Sequence, residues 1–394
     1  MKKSVSIVSI IIFMLFTLAT PVFGEEKNKD DSEETLNLAP NAKSAILIER
    51  DTGTLLFDKN AHDKLPPASM TKIMTLLLIM EALDKGNLTY DETIRVSERA
   101  ASMGGSQVFL EAGEEMTVEN LLKGVAIASG NDASVALAER IAGSEESFVK
   151  KMNEKAKELQ LKNTKFQNTT GLPAEDHYST SYDMAIIAKE LLKYETITEY
   201  TSIYEDYLRK GEKNEFWLVN TNKLVKFYPG VDGLKTGFTN EAKYCLTATA
   251  KKNDMRVIAV VMGADTTKER NAAVSGMLDY AFNKFETKKL YEKGETITNL
   301  KFLKAETENI NVVASESIST IHEKGESTED LKTDIHLDKQ LDLPLKIGDQ
   351  VGKLTVKNGE EILFETPLTV DQDIEKASYF TLLKRSLREL AKSS

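Results

Sequence analysis

Pro66-Pro67-Ala68-Ser69-Met70-Thr71-Lys72, running on into Ile73-Met74-Thr75-Leu76-Leu77-Leu78-Ile79-Met80, decides how the rest of the chain is read. The run after the prolines is apolar almost all round, which predicts a helix buried inside a domain. Ser69 opens that helix and Lys72 follows three residues later. Both side chains then lie on one helical face, roughly 5–6 Å apart at Cβ. A helix N-terminus supplies unpaired N–H groups and a partial positive field, which favour an oxyanion and disfavour a protonated Lys72. A lysine ordinarily titrates near ~10.4. Burial and a second nearby cation lower that value, and Lys72 can then take the proton of Ser69. Taken alone, Ser69 is equally well a plain helix cap. A second copy of the spacing, Ser147-Phe148-Val149-Lys150, sits among Glu145, Glu146, Lys151 and Glu154 and looks like a solvated helix face.

Upstream, Ala45-Ile46-Leu47-Ile48 and Thr54-Leu55-Leu56-Phe57 have the character of strands joined by a turn at Asp51-Thr52-Gly53, with regular structure starting near Ala42. Downstream, mostly helical patterns run to about Tyr194, broken at Gly104-Gly105, Gly130-Asn131 and Gly171-Leu172-Pro173. Strand signals return at Phe216 to Val219, Tyr244 to Ala250 and Arg256 to Met262, and a helix from about Arg270 to Phe285 follows. This order predicts an α+β domain over residues 41–286, a mainly antiparallel sheet covered by helices. From about Gly294, short alternating segments between Gly and Pro turns predict a small β-rich domain within 290–370.

Two further motifs follow Ser69-Met70-Thr71-Lys72. Ser129-Gly130-Asn131 falls between two helical patterns and by itself is a helix junction with Asn131 in a turn. Lys235-Thr236-Gly237 follows the turn Pro229-Gly230-Val231-Asp232-Gly233 and enters a strand, where glycine by itself can mark only a bulge. Together, in order, the three patterns are the signature of serine acyl-transferases that place a lysine beside the nucleophile. In that setting Ser129 can relay a proton to a leaving amine, and Asn131 can hold Lys72 and a substrate carbonyl. Lys235 attracts an anionic substrate and favours neutral Lys72, and Thr236 can hydrogen-bond a carboxylate. Gly237 leaves room for a peptide to lie along the strand edge.

On these motifs the chain resembles the low-molecular-mass penicillin-binding proteins, the serine-type D-Ala-D-Ala carboxypeptidases. Asn168-Thr169-Thr170-Gly171-Leu172, Asn220-Thr221-Asn222, Gly230-Val231-Asp232-Gly233-Leu234 and Ser179-Thr180-Ser181-Tyr182-Asp183-Met184-Ala185 extend the resemblance over nearly the whole mature chain. It implies a β-lactamase/transpeptidase-like domain that removes the terminal D-alanine from peptidoglycan stem pentapeptides through a Ser69 acyl-enzyme, without a cofactor. It also implies that β-lactams acylate Ser69. The Ser69 and Phe238 backbone N–H groups would form the oxyanion hole, and Arg270 would help Thr236 hold the substrate's terminal carboxylate. Ser181 stands where the family commonly has alanine, and Lys243 where it usually has glycine. A class A β-lactamase shares the three patterns, but no Glu-x-x-Leu-Asn segment follows Asn131. A non-catalytic penicillin-binding sensor is the other alternative, and the complete set of catalytic residues argues against it.

Length and charge agree. At 394 residues the chain exceeds one ordinary core, and a net charge of −11 disfavours nucleic acid as a partner. Cys245 is the sole cysteine, and His62, His177, His322 and His336 have no metal-ligand spacing, so no metal is expected. Lys2 and Lys3 precede an apolar run from Val5 to Ala19, which predicts a signal peptide over 1–24 and export, followed by a flexible charged leader over 25–40. Near the other end Ile374, Ala377, Phe380, Leu383, Leu387 and Leu390 share a stripe opposite Lys376, Lys384, Arg385, Arg388 and Lys392. A basic amphipathic helix over 374–394 suits peripheral attachment to the outer face of the cytoplasmic membrane; the alternative is a helix docked on the small β domain.

Overall fold

The computed structural model describes residues 36–392 apart from positions 329 and 339, with side chains described to 388. The expected signal peptide and all but the last few residues of the leader lie outside these residues. Order begins earlier than Ala42: Ala39 is buried in the core, and Lys59 Nζ donates to the Ala39 and Pro40 carbonyls at 2.8 and 2.9 Å.

A five-stranded sheet organises the chain from Asn37 onward. Its strands lie in the order Leu55–Lys59, Ser44–Glu49, Met255–Ala264, Lys243–Lys252 and Val231–Thr239, and every neighbouring pair is antiparallel. The inner strands are apolar at successive positions because both faces are covered. Ile46, Ile48, Ile258, Val260 and Met262 enter one apolar cluster, with the helices between residues 72 and 201. Ala45, Leu47, Val257, Ala259 and Val261 enter a second cluster, closed by the helix Thr267–Lys284. Strand alternation thus divides one hydrophobic run between two layers.

The all-round apolar run is the helix Lys72–Asp84, buried from Lys72 through Ala82 as its composition predicts. Two short strand pairs complete this part: Thr93–Arg95 with Glu115–Thr117, inside the helical region and not expected, and Glu205–Leu208 with Phe216–Val219, of which the second strand was expected and the first was not. Ser181, the departure from alanine, is accommodated by a 2.6 Å hydrogen bond between its Oγ and that of Ser44. Lys243 has φ +59°, the left-handed conformation that explains glycine's usual place there.

The β-rich region contains a second five-stranded sheet of Thr296–Lys301, Asn309–Ala314, Glu361–Val370, Gln350–Asn358 and Leu331–Leu337, with its own apolar cluster. The strand Phe285–Tyr291 begins before the anticipated boundary and pairs with Ile318–Glu323. The last helix is Tyr379–Lys392, so it starts later than the stripe from Ile374 suggested. Ile374 instead bridges Leu345 and is buried in the β-rich cluster, and Ala377 N donates to the Lys304 carbonyl. Arg385 donates to the carbonyls of Leu303, Ala305 and Glu306, and Arg388 pairs with Glu308 at 2.6 Å. The helix is therefore docked through part of its basic face, while Tyr379, Phe380, Leu383 and Leu387 stay exposed. No described helix is long and apolar enough to cross a membrane.

Candidate active site

The first motif is divided between two elements. Ala68–Thr71 forms a single 3-10 turn, and the α-helix proper starts at Lys72. Ser69 is therefore on the turn that feeds the helix rather than in its first α-helical turn. Ala68, immediately before it, has φ +47°, a conformation costly for a residue with a Cβ. Two glycines let other segments close on this turn. A Cβ on Gly171 would lie 1.8 Å from the Ala68 carbonyl oxygen, and one on Gly237 would lie 2.8 Å from that of Pro67. Gly237 thus serves close packing of its strand against the nucleophile turn, a different reason from the room for a peptide inferred from sequence. The strand Val231–Thr239 that carries it is an edge of its sheet, with Lys243–Lys252 as its neighbour there.

Lys72 Nζ lies 3.1 Å from Ser69 Oγ, 2.6 Å from Asn131 Oδ1 and 2.8 Å from the Thr170 carbonyl oxygen. The orientation of the Asn131 amide follows from its other end, which donates to the Gly104 carbonyl at 2.6 Å. Asn131 Oδ1 and Thr170 O can only accept, so they take two N–H groups of the amine. A neutral amine then has its lone pair left for the hydroxyl of Ser69. The electrostatics favour that state: burial holds the Lys72 pKa well below the usual lysine range, and the charge of Lys235 lowers it further, against an opposing contribution from Asp132. Asp132 is itself buried and accepts from the Val108 and Leu110 N–H groups, anchoring the 104–110 loop over Asn131.

Ser129 has φ +65°, and its buried Oγ has no hydrogen-bond partner among the described residues. Strained backbone and an unsatisfied buried hydroxyl occur together here, a pairing characteristic of sites that await a ligand. Lys235 is buried, and burial followed by the nearby charge of Arg270 pushes its pKa down to about 7. Arg270, also buried, lies in the first turn of Thr267–Lys284, with its guanidinium on Asn271 Oδ1 at 2.8 Å. Thr236 Oγ1 donates to Thr221 Oγ1 at 2.8 Å, which gives the Asn220-Thr221-Asn222 segment a place in the site. Phe238 projects its ring outward, tilted on Tyr244 with centroids 4.5 Å apart. Ser147 and Lys150 stand apart on Glu145–Glu158, where Lys150 is exposed and faces Glu154.

Thr170 was not legible as a Lys72 partner, because it acts through a backbone carbonyl that any residue possesses. Its segment is held from behind by Glu145, whose Oε1 accepts from Thr169 Oγ1 at 3.2 Å while Arg99 binds Oε2 at 2.7 Å. A cavity of about 640 Å³ opens beside the turn, lined in part by Lys64, Pro67, Leu172, His177 and Thr239.

Residues 30–266 match the family model described as D-alanyl-D-alanine carboxypeptidase, and residues 285–376 match that of the penicillin-binding protein 5 C-terminal domain. The chain is 57% identical over 392 residues to D-alanyl-D-alanine carboxypeptidase DacF of Bacillus subtilis, covering 100% of both sequences. Penicillin-binding protein 5 from Haemophilus influenzae superposes with a TM-score of 0.67 at 31% identity, over 85% of this chain and 98% of that one. Penicillin-binding protein D2 from Listeria monocytogenes in its ampicillin-bound form has a TM-score of 0.56 at 30% identity, over 61% and 98% of the two chains. The likeness runs through both parts of the molecule, and the chain belongs to the D-alanyl-D-alanine carboxypeptidase family of penicillin-binding proteins.

Proposed function

We propose that this D-alanyl-D-alanine carboxypeptidase works through Ser69 as nucleophile, Lys72 as its base and Ser129 as the proton relay to the leaving group. The observation that carries the reading is the surroundings of Lys72 Nζ, where two obligate acceptors leave a neutral amine's lone pair for Ser69. Ser69 Oγ attacks the carbonyl between the last two D-alanines of a stem pentapeptide while Lys72 takes its proton. The backbone N–H groups of Ser69 and Phe238 receive the oxyanion. Collapse breaks the C–N bond. Ser129 passes the proton from Lys72 to the departing amine, and D-alanine leaves. Water then attacks the ester, giving its proton to Lys72; collapse breaks the bond from the acyl carbon to Ser69 Oγ, Lys72 returns the proton to that oxygen, and the shortened peptide is released.

Substrate capture falls to Lys235, Thr236 and Arg270 at the terminal carboxylate, with Asn131 on a substrate carbonyl. The open edge of Val231–Thr239 lets the peptide lie as an added strand. A β-lactam offers the same carbonyl and carboxylate, so Ser69 is its point of covalent attachment. The protein is exported by residues 1–24 and held at the outer face of the membrane by its last helix; the exposed Tyr379, Phe380, Leu383 and Leu387 support that attachment. The part that ends with the helix Thr267–Lys284 carries catalysis, and the β-rich part from Phe285 to Ile374 serves as a spacer.

The test is D-alanine release from a pentapeptide together with peptide mapping of bound penicillin. Wild type releases D-alanine and carries label on Ser69. Ser69→Ala loses both. Label on Ser147, or D-alanine release by folded Ser69→Ala, would overturn the assignment.

A further inference from the structure

Between the nucleophile and the base lies Thr71, buried completely, and its hydroxyl is joined to a histidine that the mechanism does not use. His177 Nε2 is 2.8 Å from Thr71 Oγ1, and on the other side of the ring Nδ1 accepts from the Gln167 backbone N–H at 3.2 Å. A backbone N–H can only donate, so Nδ1 is unprotonated. In the neutral ring the proton therefore sits on Nε2 and is directed at Thr71. Burial, which pushes the His177 pKa down to about 4, preserves that neutral form around pH 7.

The histidine is firmly held from its own side. Its ring meets Phe166 edge-on with centroids 5.9 Å apart. The next residue, Tyr178, exchanges backbone hydrogen bonds with Lys165 at 2.9 and 3.1 Å. Ser179 does the same with Leu65 at 2.8 and 3.0 Å, shortly ahead of Ser69 in the chain. The nucleophile turn is packed against main chain at Gly171 and Gly237, but side-chain hydrogen bonds to it are few. No side chain caps it at Pro67 or at Thr71, and Ala68 holds a left-handed conformation. Such a conformation persists only where its surroundings over-determine it.

We propose that His177 is a positioning residue that fixes the Ser69–Lys72 turn through Thr71, and thereby sets the rate of acylation rather than the affinity for substrate. The proposal rests on the reading of Ser69 and Lys72 given above. His177 touches neither reacting atom. It holds Thr71, whose backbone links the serine to the lysine, so release of this contact lets the Ser69 Oγ to Lys72 Nζ geometry drift. Misplacement on the scale of 1 Å costs on the order of a hundredfold in rate.

The experiment separates the acylation rate constant from the noncovalent dissociation constant for a fluorescent penicillin, using the full chain and counting only folded protein. His177→Ala and Thr71→Val are each expected to slow acylation by about ten- to a hundredfold. The dissociation constant should change less than about twofold, since no carboxylate contact is touched. The double variant should be no slower than the worse single one, because both remove one contact. His177→Gln, whose amide N–H reaches toward Thr71, and Thr71→Ser should restore most of the rate. Unchanged acylation in the folded fraction, additive losses in the double variant, or failure of both conservative variants to recover would overturn the proposal. If His177→Ala does not fold, the Thr71→Val and Thr71→Ser pair decides alone. Mapping the label on wild type keeps the two readings distinct: label away from Ser69 removes the parent assignment, whereas label on Ser69 with unaltered rates removes only this one.

Discussion

Replacing Gly171 by alanine adds one methyl group at the most crowded point behind the nucleophile. The new Cβ would stand 1.8 Å from the Ala68 carbonyl oxygen, 2.3 Å from its carbon and 2.9 Å from Ser69 N. All three are backbone atoms, so no rotamer change relieves the overlap. Ordinary contact requires the 168–172 segment and the nucleophile turn to separate by roughly 1.5 Å. Two costs add. Gly171 has φ +83°, where a side chain costs about 1–2 kcal/mol, and overpacking adds about 1–3 kcal/mol. A loss of roughly 2–5 kcal/mol lowers Tm by about 5–15 °C for a domain of this size. Catalysis suffers as well, because the same displacement carries the Thr170 carbonyl away from Lys72 Nζ and Ala68 away from its present place. Acylation by a fluorescent penicillin should slow by about a hundredfold. Gly143→Ala supplies the control: φ is +82° there but nothing lies within 4 Å of the added Cβ, so only the conformational cost remains. That variant should lose about 1–2 kcal/mol and keep the wild-type acylation rate. Gly171→Ala acylating like wild type, or the two variants behaving alike, would mean that close contact at Gly171 does not hold the nucleophile turn in place.

Three further outcomes are expected. Because Lys235 is pushed down to about 7 in the free site, a bound carboxylate raises it; binding of an acyl-D-Ala-D-Ala peptide to Ser69→Ala should take up about one proton at pH 8 and little at pH 6. Calorimetry in buffers of different ionisation enthalpy reads this, and an amide-ended peptide giving the same uptake would contradict it. His177 falls from an ordinary 6.5 to about 4 on folding, so its contribution is fully present above pH 6.5 and is lost as pH falls toward 4, about 3 kcal/mol in all. Denaturant melts of wild type and His177→Gln should converge in stability over that window, and parallel curves would exclude the assignment. Truncation after Ser378 should free the protein from anionic vesicles while leaving hydrolysis of a soluble peptide intact, since Ile374 stays in the β-rich core; a truncated chain that still sediments with vesicles would count against the terminal helix as the anchor.

Much of this architecture was legible where one-dimensional pattern and burial coincide. The apolar run Ile73–Met80 reads as an interior helix and lies within Lys72–Asp84, and the runs Ala45–Ile48 and Arg256–Met262 read as strands and lie within Ser44–Glu49 and Met255–Ala264. The three motifs pointed to the site because each carries chemistry in a side chain. What stayed hidden works otherwise. The Thr170 carbonyl leaves no trace in residue identity, and Asp132 acts by binding main-chain N–H groups far off in sequence. The terminal stripe failed at Ile374 because spacing alone does not distinguish a residue on a helix face from one bridging Leu345 in a neighbouring sheet.

Ser69 sits on a turn pressed between Gly171 on one side and Gly237 on the other, with main chain against main chain at both. That construction removes side-chain packing as a means of adjusting the nucleophile. Elsewhere in a core, one methylene more or less shifts a neighbour by tenths of an ångström and gives selection a graded control. Here the smallest possible addition is already too large, and nothing remains to subtract. Reactivity in such a site is therefore tuned by charge and hydrogen bonding around a fixed point, through groups such as Lys235, Asp132 and Asn131. Variants of this enzyme that differ in rate while keeping Gly171, Gly237 and the Thr71–His177 contact should superpose at residues 68–70 and differ in the groups that surround them.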